Sequence, residues 1–330
     1  ELETEDVVLH QHPIGGGFGR RSQSDVQIQA ARIAREAGVP VKLILSRAED
    51  MQHDFYRPGV ASNFRVALDG AGQILAWDNV YHEKKEPVEA PVIPYEVAAQ
   101  HIHYTDSPTH VPFGAWRSVD HSQHGFFTEA FFDEVAEAAG KDPYLLRREL
   151  LANKPRHRKL LDLAAEKAGW DQPLAEGRGR GISLQESFGS LVAQVVEVTV
   201  DGGEVAVDRV VVAVDPGFAV SPDGLTAQME SGVIFGLSAA LYGEINIEEG
   251  RVVQSAYKDY PVVRMVDAPV VETHIVNSGE SWGGAGEPGT PGVAPALANA
   301  VFQATGTRIR QLPVSKYDLN YSVSEPEELI

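Results

Sequence analysis

Between residues 281 and 306 there is a single acidic side chain, Glu287, set in the run Ser281-Trp282-Gly283-Gly284-Ala285-Gly286-Glu287-Pro288-Gly289. Glycines on both sides remove the side chains that would crowd a carboxylate. A lone carboxylate in a bare loop can act as a general base if its proton affinity suits the working pH. Two influences bear on that affinity. A helix is expected to begin at Thr290-Pro291, and a helix N-terminus favours a nearby negative charge. Burial acts the other way and raises a glutamate above its ordinary value of about 4.3. The plainer alternative is a carboxylate that only caps the helix.

Three other stretches carry groups suited to chemistry. Gly15-Gly16-Gly17-Phe18-Gly19-Arg20-Arg21 joins a strand-like run to a helix start, the arrangement that presents backbone N–H groups to an anion. Its spacing fits neither G-x-G-x-x-G nor a P-loop, so a nucleotide-binding enzyme is the weaker reading. Gly114-Ala115-Trp116-Arg117-Ser118 also feeds a helix start, where Arg117 could meet an anion or lie stacked on Trp116. Gln228, inside Ala227-Gln228-Met229-Glu230, can donate and accept hydrogen bonds if enclosed. His10 with His12, and His101 with His103, lie two apart as strand neighbours do, but neither pair is followed by a third ligand at zinc spacing. No G-x-S-x-G elbow for a serine nucleophile occurs.

Composition narrows the partners. Lys and Arg total 28 against 47 Asp and Glu, a net charge of -19. Such a surface repels nucleic acid and anionic lipid. No apolar run is long enough for a membrane span. The chain has no cysteine, which excludes disulfides, a cysteine nucleophile and ordinary iron–sulfur ligation. Any electrons it handles must leave through another polypeptide. The chain opens on Glu1 with no visible signal peptide, and reads as a fragment, a processed chain or one piece of a split protein.

The elements expected to position these groups form a mixed α+β chain. Val7 to Leu9 reads as a strand. A helix capped by Ser24 follows, with Val26, Ala30, Ile33 and Ala37 as its buried stripe and Gly38 as its end. Val41 to Leu45 reads as a strand, and 64–68 with 74–81 as a hairpin across Asp69-Gly70-Ala71-Gly72. Residues 83 to 112 show no period. Helices are expected at 121–139, from Asp142-Pro143, and at 159–168. Gly177-Arg178-Gly179-Arg180-Gly181 reads as a boundary between a first subdomain, 1–170, and a second, 171–330. Beyond it come strands at 192–200 and 205–214, a helix at 222–241, a hairpin from 244 to 257, and a last helix from Thr290-Pro291 to Gly306.

Taken in order, the loops resemble the molybdenum hydroxylases, the xanthine dehydrogenase and aldehyde oxidase family. The motifs are GGGFGRR, AWRSVDHS with FFDEVA downstream, AQME, ALYGEI, DYPVVRM and GEPGTPGVAPALANAVFQATG, from about residue 7 to 313. Their texture is most similar to the molybdopterin-binding beta subunits of the isoquinoline 1-oxidoreductase type. The resemblance implies mixed sheets with packed helices in two subdomains. It implies that Glu287 is the active-site base. It places Gly16, Gly17, Phe18, Gly19 and Arg20 of the first loop against the molybdenum cofactor, together with Arg117, Gln228 and Gly286. Where xanthine dehydrogenases carry a purine-reading Glu, this chain has Ser22, which counts against xanthine.

The implied reaction is hydroxylation of an electron-poor carbon, beside a ring nitrogen or in an aldehyde, with oxygen derived from water. The implied cofactor is molybdopterin in its cytosine dinucleotide form, with molybdenum. The implied partners are a small iron–sulfur subunit, a small-molecule substrate, and a companion chain supplying further pterin-binding loops. Zero cysteines favours the periplasm, with the cytoplasm as the alternative. A non-catalytic assembly subunit is the competing reading.

Overall fold

A computed structural model describes residues 3–87 and 90–320. Two sheets organise the α+β fold. The smaller comprises β1 (Ala61–Leu68), β2 (Ile74–Glu83) and β3 (Ala99–Asp106). β1 and β2 form the expected hairpin, and Asp69 accepts from Ala71 and Gln73 N–H groups to set its turn. β3 runs parallel to β2 inside the stretch expected to be irregular. Its sequence, AQHIHYTD, is polar because the strand is a largely exposed edge, which hid the alternation.

The larger sheet has the order β4-β5-β6-β9, where β4 is Arg178–Ser187, β5 Ser190–Asp201, β6 Glu204–Asp215 and β9 Val270–Ile275. The first three are antiparallel and β9 joins β6 in parallel. The Val-rich runs of β5 and β6 are buried on both faces. Val196, Val210 and Val212 meet α6 (Pro222–Leu241) and α7 (Val293–Thr305), while Val195, Val211 and Ala213 meet α5 (Pro155–Ala168). Between the two cores runs α3 (His121–Ala138). Phe126 and Ala130 enter one core, Phe132 and Val135 the other.

The Gly-Arg-Gly-Arg-Gly stretch is not a linker. From Arg178 it is strand β4, and its glycines admit a helix: a Cβ on Gly179 or Gly181 would collide with the Ala300 or Ala296 carbonyl of α7. Arg180 is tied to Glu197 at 2.9 Å within the sheet. α4 (Pro143–Glu149) begins as expected, with the Asp142 carboxylate accepting from Leu145 N–H. α5 starts earlier than expected, because Pro155 takes its first turn. The expected hairpin between 244 and 257 shrinks to two-residue strands, β7 (Ile247–Glu248) and β8 (Arg251–Val252).

The N-terminal stretch departs most from expectation. Residues 7–9 and 41–45, expected as strands, form no ladder. α1 (Asp25–Ala37) begins and ends as expected, with Gly38 left-handed at its C-terminus, yet it has no buried residue. Of the expected stripe, Val26 and Ala30 are partly covered and Ile33 and Ala37 are exposed. Among the described residues that face is covered only at its N-terminal end. The pattern that marks a buried helix face is present, but the cover is incomplete. A short additional helix, α2 (Arg47–Gln52), follows, with Ser46 accepting from Glu49 N–H.

Candidate active site

The loop carrying Glu287 is fixed from below by polar side chains of the large sheet. Ser190 Oγ donates to the Gly284 carbonyl at 2.6 Å, Gln194 Nε2 to Gly289 at 2.7 Å, and Ser183 Oγ to Gly292 at 2.7 Å. All three side chains are buried. Gly232 and Gly236 lack the Cβ atoms that would push α6 away from 289–293, so α6 lies close and delivers Gln228 to the loop. The last helix starts at Val293 with Gly292 as N-cap, later than expected. Thr290 is therefore not its cap, and the helix terminus is not what holds the Glu287 side chain.

The 116–118 turn holds it instead. Ser118 N–H donates to Glu287 Oε1 at 3.1 Å, and Ser118 Oγ donates to the Glu287 carbonyl at 2.6 Å. Ser118 is fully buried, and both it (φ 73°) and Val119 (φ 40°) are left-handed. A non-glycine pair in that region costs energy and persists only where its surroundings enforce it. Arg117 supplies the enforcement. Its Nε and Nη2 both donate to the Gly286 carbonyl, at 2.9 and 2.6 Å, and Nη2 also reaches Gln228 Oε1 and Ser231 Oγ, each at 3.0 Å. Burial pushes the Arg117 guanidinium down, with Glu287 opposing. Trp116 does not stack on Arg117; it lies between Arg57 at 4.4 Å and the Phe235 ring at 4.7 Å.

The glycine loop meets the same turn from the other side. Gly19 is left-handed, and a Cβ there would strike the Ala115 carbonyl. A Cβ at Gly15 or Gly17 would meet nothing within 4 Å, and one at Gly286 would meet only Gln228 Oε1, at 3.9 Å. Bare backbone thus faces open space at both loops, which fits close approach by a large, anionic cofactor. Phe18 is left-handed and exposed, with Arg21 over its ring. Arg20 is placed apart from the others, pinned between Asp25 at 2.7 Å and Asp54 at 2.8 Å.

So Arg117, Gln228, Gly286 and Glu287 converge, Gly19 packs on Ala115 next to that turn, Gly17 and Phe18 are exposed, the Phe18 ring lies over Gly16, and Arg20 braces the loop to α1. The sequence reading missed Ser118, Ser183, Ser190 and Gln194. For Ser183, Ser190 and Gln194 the one signal was a polar residue within a buried strand; Ser118, in a turn, had none. Among the described residues no three His, Asp or Glu side chains gather as metal ligands. His101 instead bonds Asp78 at 2.6 Å and stacks on His103.

Two models of the molybdopterin cofactor-binding domain match this chain, one over residues 1–151 and one over 116–269. Their span takes in both the glycine loop and the Gln228 helix. The chain belongs to the molybdenum hydroxylases.

This molybdenum hydroxylase chain is 32% identical to a membrane-bound aldehyde dehydrogenase (pyrroloquinoline-quinone) of Gluconacetobacter polyoxogenes, over 95% of its own length and 46% of the relative's. It is 30% identical to isoquinoline 1-oxidoreductase subunit beta of Brevundimonas diminuta, over 95% of its length and 43% of that chain's. It therefore spans less than half of either relative. Its fold matches quinoline 2-oxidoreductase from Pseudomonas putida 86 with a TM-score of 0.80 at 14% identity, covering 91% of this chain and 66% of the other. No helix among the described residues is long and apolar enough to cross a membrane.

Proposed function

We propose that this chain is the molybdopterin-side catalytic portion of an oxidoreductase that hydroxylates an N-heteroaromatic ring or an aldehyde. Glu287 is its base, and Gly16, Gly17, Phe18, Gly19, Arg117, Gln228 and Gly286 line the cofactor, with Arg20 bracing the first loop. The observation that carries this is the double hold on residue 287: one carboxylate oxygen is fixed by Ser118 N–H while its partner oxygen is left for a proton. The cofactor, in its cytosine dinucleotide form, supplies two-electron oxidation of the substrate carbon with oxygen derived from water.

The chain's own residues do the rest. Arg117 holds the Gly286 carbonyl and so sets the height of the Glu287 backbone. Ser118 orients the carboxylate for proton acceptance without supplying a proton to the reaction. Electrons pass to a separate iron–sulfur subunit, since this chain has no cysteine. Residues 1–170 contribute the glycine and Trp-Arg turns as one subdomain, and 171–330 contribute Gln228 and Glu287 as the other. A companion polypeptide segment completes the cofactor site and covers α1, whose apolar Ile28 and Ile33 are exposed, as are Val8, Leu9 and Ile44.

The test is Glu287→Gln in the assembled complex, with molybdenum measured. Gln keeps an acceptor for Ser118 N–H, so metal near one per chain is expected in both proteins, with turnover down on the order of a hundred- to ten-thousandfold. A fully assembled complex without molybdenum would instead support the non-catalytic assembly reading.

A further inference from the structure

A cavity of about 360 Å³ lies behind the Trp-Arg turn. Ser22 and Gln23, which follow the glycine loop, form one wall, and Trp116, Val119 and Asp120 form another. The third carries Arg57 and Lys84. It thus sits between the two loops assigned above to the cofactor.

Arg57 reaches this wall because its segment is laid beside the turn. Tyr56 N–H donates to the Pro112 carbonyl at 3.0 Å, and Gly114 N–H to Tyr56 at 2.9 Å. The Arg57 guanidinium has one hydrogen bond, from Nη2 to Ser122 Oγ at 2.9 Å, and a π-face on Trp116. No carboxylate among the described residues lies within ion-pairing distance of it. Its neighbour Arg20, by contrast, has two. Burial pushes the Arg57 guanidinium down to about 10, opposed only by the Tyr260 phenol. A half-buried cation whose partners are neutral is stabilised by any counter-charge that reaches it.

The acids in the same wall do not supply it. Glu83 is committed to His124 at 3.1 Å and to Gln123 Nε2 at 3.1 Å. The Asp120 carboxyl is pushed up by burial and then by Glu83, with His124, His121 and Lys85 opposing, and its Oδ1 accepts from Gln123 Nε2 at 3.3 Å. Lys84 lies over the Phe113 ring at 4.8 Å and adds a second positive charge.

We propose that this cavity seats the substrate and that Arg57 selects for a carboxylate on it, so that the preferred substrates are small, single-ring organic acids. This rests on the molybdenum hydroxylase reading of the adjacent loops. The volume is in the range of small-ligand sites and near its lower end. Arg57 would pair through its free N–H groups while Trp116 keeps its plane fixed.

The test compares binding of benzoate and of its neutral isostere benzamide to the assembled protein by calorimetry. Benzoate is expected to bind the tighter of the two. Arg57→Gln should weaken benzoate about 10- to 100-fold, the effect of losing a charged hydrogen-bonded partner, and leave benzamide unchanged. Arg57→Lys should recover part of the preference, which a merely misfolded variant would not. Equal affinity for the two probes, or a preference that survives Arg57→Gln, overturns the proposal. So does inorganic phosphate binding more tightly than benzoate with the same dependence on Arg57, since that marks a phosphate site. Glu287→Gln separates this from the functional reading: it should lower turnover on the order of a hundred- to ten-thousandfold and leave benzoate binding intact. Turnover that stays near the parent's in Glu287→Gln sinks the base assignment alone.

Discussion

Ser118 does two things at once, and two substitutions separate them. Its hydroxyl donates to the Glu287 carbonyl at 2.6 Å, and its backbone sits at φ 73°. Ser118→Ala removes the hydroxyl and keeps the left-handed strain. The Glu287 carbonyl retains Thr290 N–H at 3.0 Å, so no acceptor is orphaned. The loss is therefore that of one net hydrogen bond, about 1 kcal/mol. Ser118→Gly removes the same bond but relieves a left-handed L-residue, worth about 1–2 kcal/mol. Glycine's greater unfolded-chain freedom takes back about 0.5–1 kcal/mol. Ser118→Gly should thus fall within about 0.5 kcal/mol of the parent, and Ser118→Ala about 1 kcal/mol below it. Urea unfolding midpoints of the three proteins measure this directly. Glycine as destabilising as alanine would refute the claim that the turn is held under backbone strain. Both variants keep the 118 N–H, so both should retain far more turnover than Glu287→Gln.

Three further outcomes follow from the packing. Gly181→Ala should cost about 1–3 kcal/mol in thermal or urea unfolding, because its methyl would meet the α7 backbone rather than a movable side chain. Arg147→Met should cost about 3–5 kcal/mol, since it strands Glu129, which is fully buried 3.0 Å away; a loss under 1 kcal/mol by denaturant titration would contradict this. For Asp215, burial pushes the carboxyl up, but Arg156 at 2.6 Å, Gly217 N–H and the Ser278 hydroxyl hold it below its ordinary value. A depressed carboxylate adds stability above its unfolded-state pKa of about 3.9 that is lost as pH falls through the folded value. Arg156→Gln should accordingly shift the acid-unfolding midpoint, followed by circular dichroism, to higher pH.

What could be read in the sequence depended on whether the signal was local. α6 came out to the residue because Ser221-Pro222 opens it and neither proline nor a turn cluster interrupts it before Tyr242. The β1–β2 hairpin was legible from its Asp-Gly turn. Arg117, Gln228 and Glu287 stood in the sequence as ordered motifs, and the structure brings them within hydrogen-bonding reach of one cluster. Long-range packing was not legible. Gly179 and Gly181 looked like a linker because the helix that needs them lies more than a hundred residues downstream. Val7 to Leu9 and Val41 to Leu45 have strand composition, but a ladder needs a partner that composition does not specify. Ser118 was passed over beside its more conspicuous arginine, since nothing in the letters Trp-Arg-Ser announces a left-handed turn. Arg57 gave no signal at all, because its meaning is the absence of a neighbouring acid in space.

The ties from Arg117 to Gly286 and from Ser118 to Glu287 each span 169 residues of chain. Closing so long a loop is entropically late in folding. On the ribosome the first half can finish its own hairpin and α3 well before residue 286 is made. The Glu287 carboxylate is therefore held in place only once both ends of these ties have been made, however early the 116–118 turn itself is formed.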